Sequence, residues 1–336
     1  MQHVAIDLGS KESQVCVRSA EATILVEKKY PTRRLEELMR SWPPSRVILE
    51  TSSEAFRIAD AARRAGHEVR VVRATLSKQL GVGDRGIKTD QRDARTLSEV
   101  SCRINLPSVH IPSEQARELR ATVRSREVLI ATRTKMVNHV RGWLRTQLMK
   151  LPKGTPATFP ERVRARASES LPMYIEQVLL VVESLNIQIA ASDRHLRGLA
   201  KASEVCRRLM TIPGVGPVTA VTFVAAIDDA SRFEHAYRLQ SYLGLTPGES
   251  SSSERERRTS ITKAGPASVR RTLIQAAWTI VRRRPSEPMV RWAAQVAERR
   301  GKFVAIVALA RKLAGIMFAL WRDTTTYQPS MAAMNM

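Results

Sequence analysis

The chain has 336 residues, with 55 Lys and Arg against 32 Asp and Glu and a formal net charge of +23. Positive charge of that size, spread along the whole sequence, disfavours a small acidic substrate and favours an extended phosphate-bearing partner, with nucleic acid the default. A hydrophobic content of 43% excludes a disordered basic tail, and the length predicts about two domains, each able to bury a core.

Cys16, Cys102 and Cys206 lie far apart with no CxxC pair. This excludes a zinc ribbon or an intrachain disulfide framework and predicts a reducing, cytoplasmic setting. The amino terminus lacks a basic stretch followed by a long apolar run, so no secretory signal is expected. The apolar stretch from Phe303 to Trp321 is interrupted by Arg311 and Lys312, so no membrane span is expected either.

In chain order, Val4 to Asp7, Gln14 to Arg18 and Thr23 to Lys28 read as strands of a meander, with Leu8-Gly9-Ser10 as the first turn. Arg33 to Arg40 has helical character, Arg46 to Glu50 is a strand, Glu54 to Ala65 is helical, and Gly66 stops that helix before the strand His67 to Arg73. Antiparallel strands followed by alternating strands and helices is the order of a ribonuclease-H-like sheet. The acids fall at the element ends: Asp7 and Glu50 close two strands, while Asp90 and Asp93 stand three residues apart in KTDQRDA, a spacing that shares one helix face. Two magnesium ions clamping a phosphodiester demand hard oxygen ligands and about four balancing charges, which four carboxylates supply. Read singly, each acid is as well explained as a helix cap, Asp90 above all, or as a solvated surface group. VAIDLGS is also similar to the first phosphate loop of sugar-kinase and actin-like ATPases, but the second phosphate loop and the adenosine loop of that fold are not found in the sequence.

From Ser113 to Met149 the chain carries apolar residues at steps of three, four or seven and no Pro, which predicts a long amphipathic helix with Arg126 and Arg133 on its apolar stripe. A second helix is expected over Met173 to Leu199, after a connecting loop from Leu151 to Pro160. The two helices suit an antiparallel hairpin, a coiled-coil dimerisation arm or an ordinary bundle.

Leu209 to Ala220, LMTIPGVGPVTA, has the pattern of a helix-hairpin-helix, in which Gly214 and Gly216 let the backbone approach a phosphate; tight packing is the alternative use of such glycines. Downstream, four serines from Ser250 to Ser253 precede Arg255, Arg257, Arg258 and Lys263, and from Glu254 to Asp323 there are sixteen Lys and Arg against five Asp and Glu. A serine among guanidiniums suits nucleophilic attack on a phosphodiester, and a serine run equally suits a flexible polar loop.

These residues resemble the DEDD-type insertion-sequence transposases of the family numbered one hundred and ten, relatives of pilin-gene invertases, over nearly the whole chain. IDLGS around Asp7, LETSSEAF around Glu50 and KTDQRDA around Asp90 and Asp93 are similar to their RuvC-like domain; IPGVGPVTA, YLGLTPGESSS and ITKAGPASVRRTL are similar to their transposase domain. The resemblance implies a composite site in which Asp7, Glu50, Asp90 and Asp93 hold magnesium, two ions being expected, while a serine attacks DNA to give a phosphoserine link. Counting forward from Pro247 and back from Lys263 places that serine at Ser252. Ser253 stands where the family has glycine, which leaves Ser251 and Ser253 as rivals. The resemblance further implies a structured guide RNA that pairs with donor and target DNA.

The expected organisation is a RuvC-like α/β domain over 1–105, a helical coiled-coil region over 106–202, a mostly helical transposase domain with the helix-hairpin-helix and serine loop over 203–325, and a flexible tail over 326–336. The expected activity is excision and insertion of an element by a cytoplasmic, nucleoid-associated homo-oligomer, dimer or tetramer, with Gly214, Gly216, Arg255, Arg257, Arg258 and Lys263 on nucleic acid. A metal-dependent nuclease or junction resolvase and a non-catalytic nucleic-acid-binding protein are the alternatives. Tyrosine-recombinase chemistry is disfavoured by the lack of an Arg…His-x-x-Arg…Tyr constellation among five tyrosines.

Overall fold

The computed structural model describes residues 1–79, 89–167, 170–252 and 255–329, with the backbone alone for 77–79, 249–252 and 255–258. The chain divides into two compact units, Met1–Pro112 and Ser113–Met336.

The first unit is built from β1 (Gln2–Asp7), β2 (Glu12–Arg18), β3 (Ile24–Pro31), α1 (Leu35–Ser41), β4 (Ser45–Glu50), α2 (Ala55–Arg64), β5 (Glu68–Val72), α3 (Ala74–Gln79) and α4 (Asp90–Arg103). The five strands form one mixed sheet in the order β3-β2-β1-β4-β5, antiparallel through β1 to β3 and parallel through β1, β4 and β5. This is an α/β unit consistent with a ribonuclease-H-like domain. Strand alternation assigns the two faces. Val4, Ile6, Val47 and Leu49 pack with Leu35 and Met39 of α1 and Ile58 and Ala62 of α2. On the opposite face Ala5, Ile48 and Val72 pack with Leu97 of α4 and with Leu106.

Polar bonds fix the direction of α4. Ser101 meets His3 Nδ1 at 2.8 Å, and Ser98 receives Arg18 Nε at 3.1 Å and donates to Cys16 Sγ at 3.2 Å. Its late residues therefore lie over the start of β1, and its amino terminus lies toward the end of that strand. Burial, then the nearby Arg46, pushes the His3 imidazole below its ordinary value.

The second unit contains α5 (Glu114–Thr146), α6 (Phe159–Arg164), α7 (Met173–Ala202), α8 (Glu204–Leu209), α9 (Pro217–Ile227), α10 (Ala236–Tyr242), β6 (Pro247–Ser252), β7 (Arg255–Ile261), α11 (Ala267–Arg283), α12 (Pro288–Arg300) and α13 (Lys302–Arg322). α5 and α7 run antiparallel within the chain: Arg126 pairs with Asp193 at 2.6 Å and Arg133 Nη1 donates to Asn186 Oδ1 at 3.0 Å, so numbers rise on one helix as they fall on the other. Arg126 and Arg133 on the apolar stripe of α5 are thus met by polar partners on α7. One core fills the far end of this pair, with Val140 and Leu144 against Phe159, Ile175 and Leu179. A larger core gathers α8, α9, α11 and α13 around Phe223, Leu273, Leu313 and Met317.

One expectation changes. The serine segment, read as a loop, is a two-stranded antiparallel hairpin, β6 with β7. By length and mean hydropathy (1.2 and 2.0), α7 and α13 both qualify as long and apolar enough to cross a membrane, Arg311 and Lys312 notwithstanding. For α13 the apolarity has an internal use, since 56% of its apolar window is buried. Its two cations are accommodated there, Arg311 on Gln240 Oε1 at 2.9 Å and Lys312 over the Trp292 ring at 4.8 Å.

Candidate active site

Asp7 and Glu50 each end a strand, and β1 and β4 are parallel neighbours whose last paired residues are Ile6 and Leu49. One step further along, Asp7 and Glu50 stand side by side at the carboxy-terminal edge of the sheet, where open α/β sheets present their ligands. Alternation puts both on the α4 face, opposite in parity to Ile6 and Leu49. Along α4, Asp93 lies eight residues before Ser101, about 12 Å of helix. Along β1, Asp7 lies four residues after His3, about 13 Å of strand. Since Ser101 is bonded to His3, the antiparallel helix brings Asp93 level with Asp7.

Asp93 is 3% exposed, Asp7 and Glu50 are half-buried, and Asp90, the first residue of α4, is exposed. Asp90 is not the helix cap. Thr89 is, its hydroxyl accepting from Arg92 N at 3.3 Å. Both aspartates lie in the first turn, where the helix dipole favours negative charge. Asp7 and Glu50 therefore end neighbouring strands on the face that α4 covers, and Asp93 and Asp90 lie in the first turn of that helix. Their chemistry, hard carboxylate oxygens, suits a divalent cation. Among the described residues, however, no three His, Cys, Asp or Glu side chains are close enough as they stand to form an ion's ligand shell.

Sequence reasoning missed the groups that hold α4 in register. Glu27 of β3 accepts from Gln91 Nε2 at 2.7 Å and forms a two-pronged pair with Arg95. Hydrogen bonding from Arg95 holds the Glu27 carboxyl below its ordinary range despite the opposing effect of burial. Gln91 and Arg95 flank the predicted acids within KTDQRDAR, so the motif contains its own anchor. Ser52, two residues beyond Glu50, carries a buried hydroxyl without a hydrogen-bond partner among the described residues. Ser52→Ala removes that desolvated group and is expected to raise stability by about 1 kcal/mol. Urea unfolding checks this, and a drop in stability would mean that the hydroxyl is satisfied.

In the second unit, Ser251 and Ser252 occupy the end of β6, opposite Glu256 and Arg255 of β7, while Arg257 and Arg258 pair with Ser250 and Glu249 in the same ladder. Ser253 lies outside the described residues, as does Lys88 of the KTD motif. Lys263 is exposed at the hairpin base, in the left-handed region with φ +55°, its N–H donating to Gly244 O at 3.1 Å. The structure also shows why GLTP and ITKAG matter. Gly244 (φ +67°) and Gly265 (φ +80°) lie where two backbones cross. A Cβ on Gly244 would stand 2.0 Å from Ala264 O, and one on Gly265 would stand 2.0 Å from Tyr242 O. Arg270, from the VRRTL segment, locks the crossing by donating Nη1 to Leu243 O, Ala264 O and Gly265 O at 2.9–3.0 Å. Its glycine-crossing partners were visible in the sequence only as punctuation.

Gly214 and Gly216 part company. Gly214 has φ +80° and sits against α11, where a Cβ would meet Ile280 at 2.5 Å, so close packing accounts for it. Gly216 caps α9 and has open space around its Cβ position.

A sheet of this order with acids at its strand ends, in a chain of net charge +23, suits a protein that works on nucleic acid. The comparisons with known proteins specify it. A family model described as "Transposase", of the DEDD type, matches residues 4–148, and one described as "Transposase IS116/IS110/IS902 family" matches residues 206–290. The chain is similar to a "Probable family 20 transposase" of Pseudomonas aeruginosa, 28% identical over 98% of this chain and 99% of that protein. It is similar to the "Transposase for insertion sequence element IS1111A" of Coxiella burnetii, 31% identical over 72% of this chain and 68% of the relative. A "Putative transposase y4qE" of Sinorhizobium fredii is 32% identical over 87% of this chain and 79% of the relative. The chain belongs to the IS110 family of transposases, enzymes that cleave and recombine DNA. Membership implies use of a divalent metal in general terms.

Proposed function

We propose that this transposase excises and inserts its element through serine-linked DNA intermediates, in the cytoplasm and as a homo-oligomer, with a structured RNA selecting donor and target by base pairing. The observation that carries the catalytic part is the placement of Asp7 and Glu50 at neighbouring strand ends on the face that α4 covers, with Asp93 in the first turn of that helix. In this reading these three and Asp90 hold magnesium, which supplies charge neutralisation for a phosphodiester under attack. The chain's own groups do the rest. The Ser252 oxygen forms a bond to phosphorus, the bond from phosphorus to a deoxyribose oxygen breaks, and that oxygen leaves with a proton while the serine proton passes to solvent. Arg255, Arg257, Arg258 and Lys263 neutralise phosphates around the hairpin, and Gly216, at the open amino terminus of α9, offers backbone N–H groups to the nucleic-acid backbone.

Ser252→Ala is expected to eliminate protease-sensitive protein–DNA adducts while DNA affinity is retained; an adduct that persists in this variant and vanishes in Ser251→Ala or Ser253→Ala would move the nucleophile. A hydrolytic nuclease is the second reading. It is favoured by the regular strand pairing of Ser251 and Ser252, which is what a purely structural hairpin would show. Nicks with free ends and no adduct in the unaltered protein would establish it.

A further inference from the structure

At the end of the α5–α7 pair remote from α8 and α9, the segment after α5 folds back into a pocket of about 640 Å³. Its lining includes Arg141, Arg145, Lys150, Lys153 and Arg162 and no acid. The sequence around it is equally one-sided, with six Lys and Arg and no Asp or Glu from Val128 to Pro160. Elsewhere in this unit some arginines are neutralised by carboxylates, Arg126 by Asp193 and Arg164 by Glu176 and Glu183. In the pocket Arg162 is hydrogen-bonded into the structure and Arg141 lies over the Phe159 ring. Arg162 donates to Pro152 O at 2.5 Å and Thr155 O at 2.8 Å, and a Cβ on Gly154 would strike its guanidinium at 2.5 Å. Arg141, Arg145, Lys150 and Lys153 make no ion pair among the described residues. Four like charges gathered around one cavity repel one another, and an anionic ligand turns that cost into binding.

The ligand's chemistry follows from what else lines the cavity. Phe159 is the one aromatic residue in the lining, is 1% exposed, and is already covered by Arg141 and Arg162, whose guanidiniums stand 5.7 and 5.9 Å from its ring centre. A strand with unpaired bases would look for an open aromatic face, and none is offered. The cations instead suit phosphates presented by a rigid backbone. Position separates this pocket from the serine hairpin's surroundings: α5 is capped by Ser113, whose N–H donates to Asp228 beside the end of α9 at 2.9 Å, and Arg145 lies about 45 Å further along the helix.

We propose that this pocket is a separate nucleic-acid site that grips the phosphodiester backbone of a duplex without reading its sequence. It stands independently of the catalytic assignments above. The test uses the full chain carrying Arg145→Ala, Lys150→Ala and Lys153→Ala together, three exposed side chains without structural partners. Binding to a DNA duplex and to an RNA duplex of the same sequence is followed by fluorescence anisotropy across a salt series, with thermal melting as the folding control. The slope of log affinity against log salt is expected to become shallower by about 2–3, with affinity at least about tenfold weaker at low salt. A loss on both duplexes, or on one alone, supports the site and identifies its occupant. Unchanged slopes on both overturn it, as does loss of self-association by the free protein with duplex binding intact. A second readout needs no loss of charge: Leu148, 92% exposed beside the pocket, is changed to Cys and carries a photo-crosslinker. Labelled duplex should be captured there, and its absence from the crosslinked product overturns the proposal even if the triple variant fails to fold.

Discussion

Asp7→Asn is expected to lower DNA strand cleavage by about three orders of magnitude or more, because a metal-assisted site loses several kcal/mol of transition-state stabilisation with one charged ligand. The substitution keeps the shape of the side chain, and Asp7, half-buried beyond the last core residue Ile6, takes no part in either face's hydrophobic packing. Melting temperature should therefore move little, and DNA affinity should hold or rise, since a negative group is removed from a phosphate-binding protein. Calorimetric titration with manganese supplies a readout independent of turnover: the unaltered protein binds the ion and the variant does not. Asp93→Asn should behave alike in cleavage, with an added stability loss of about 0.5–1 kcal/mol from the first turn of α4. Undiminished cleavage by Asp7→Asn would remove these acids from the chemistry altogether.

The second large effect is structural. Gly265→Ala and Gly244→Ala are each expected to destabilise the second unit by roughly 3–5 kcal/mol, since both combine a left-handed backbone with a Cβ driven 2.0 Å from a carbonyl oxygen. Neither backbone can retreat, because Arg270 ties Leu243 O, Ala264 O and Gly265 O together. Gly301 provides the control. It also has positive φ, +86°, but open space around it, so Gly301→Ala should cost only about 1 kcal/mol. Urea unfolding measures all three; equal costs at Gly265 and Gly301 would show that the crossing is not close-packed. Manganese binding by the acids of the first unit should survive in every one of these variants.

The first unit was largely legible because its strands alternate and its helices end at Gly or at acids and bases of the expected sign. Val4 and Ile6 against Ala5 and Asp7 announce a two-faced strand, and the parallel pairing of β1 with β4 follows from the order of elements. Thr89 escaped notice as the cap of α4 because Asp90 beside it is as good a capping residue by type. The β6–β7 hairpin was illegible for a plainer reason: PGESSS and RERRTSI have no apolar face, so their pairing has no hydrophobic signature. The anchors Glu27 and Arg270 could not be read either. Glu27 lies 68 residues from Arg95, and a guanidinium that caps three carbonyls looks in sequence like any other surface arginine.

The crossing of Gly244 and Gly265 acts as a clasp. The described strands between the two glycines leave and return past this one close contact, so changes in the loop between them are expected to be tolerated better than changes at the contact itself. The segments that form that contact have no such liberty: exchanging GLTP or ITKAG alone between distant relatives should jam the fastening, whereas exchanging both with the loop they enclose should transplant as a cassette.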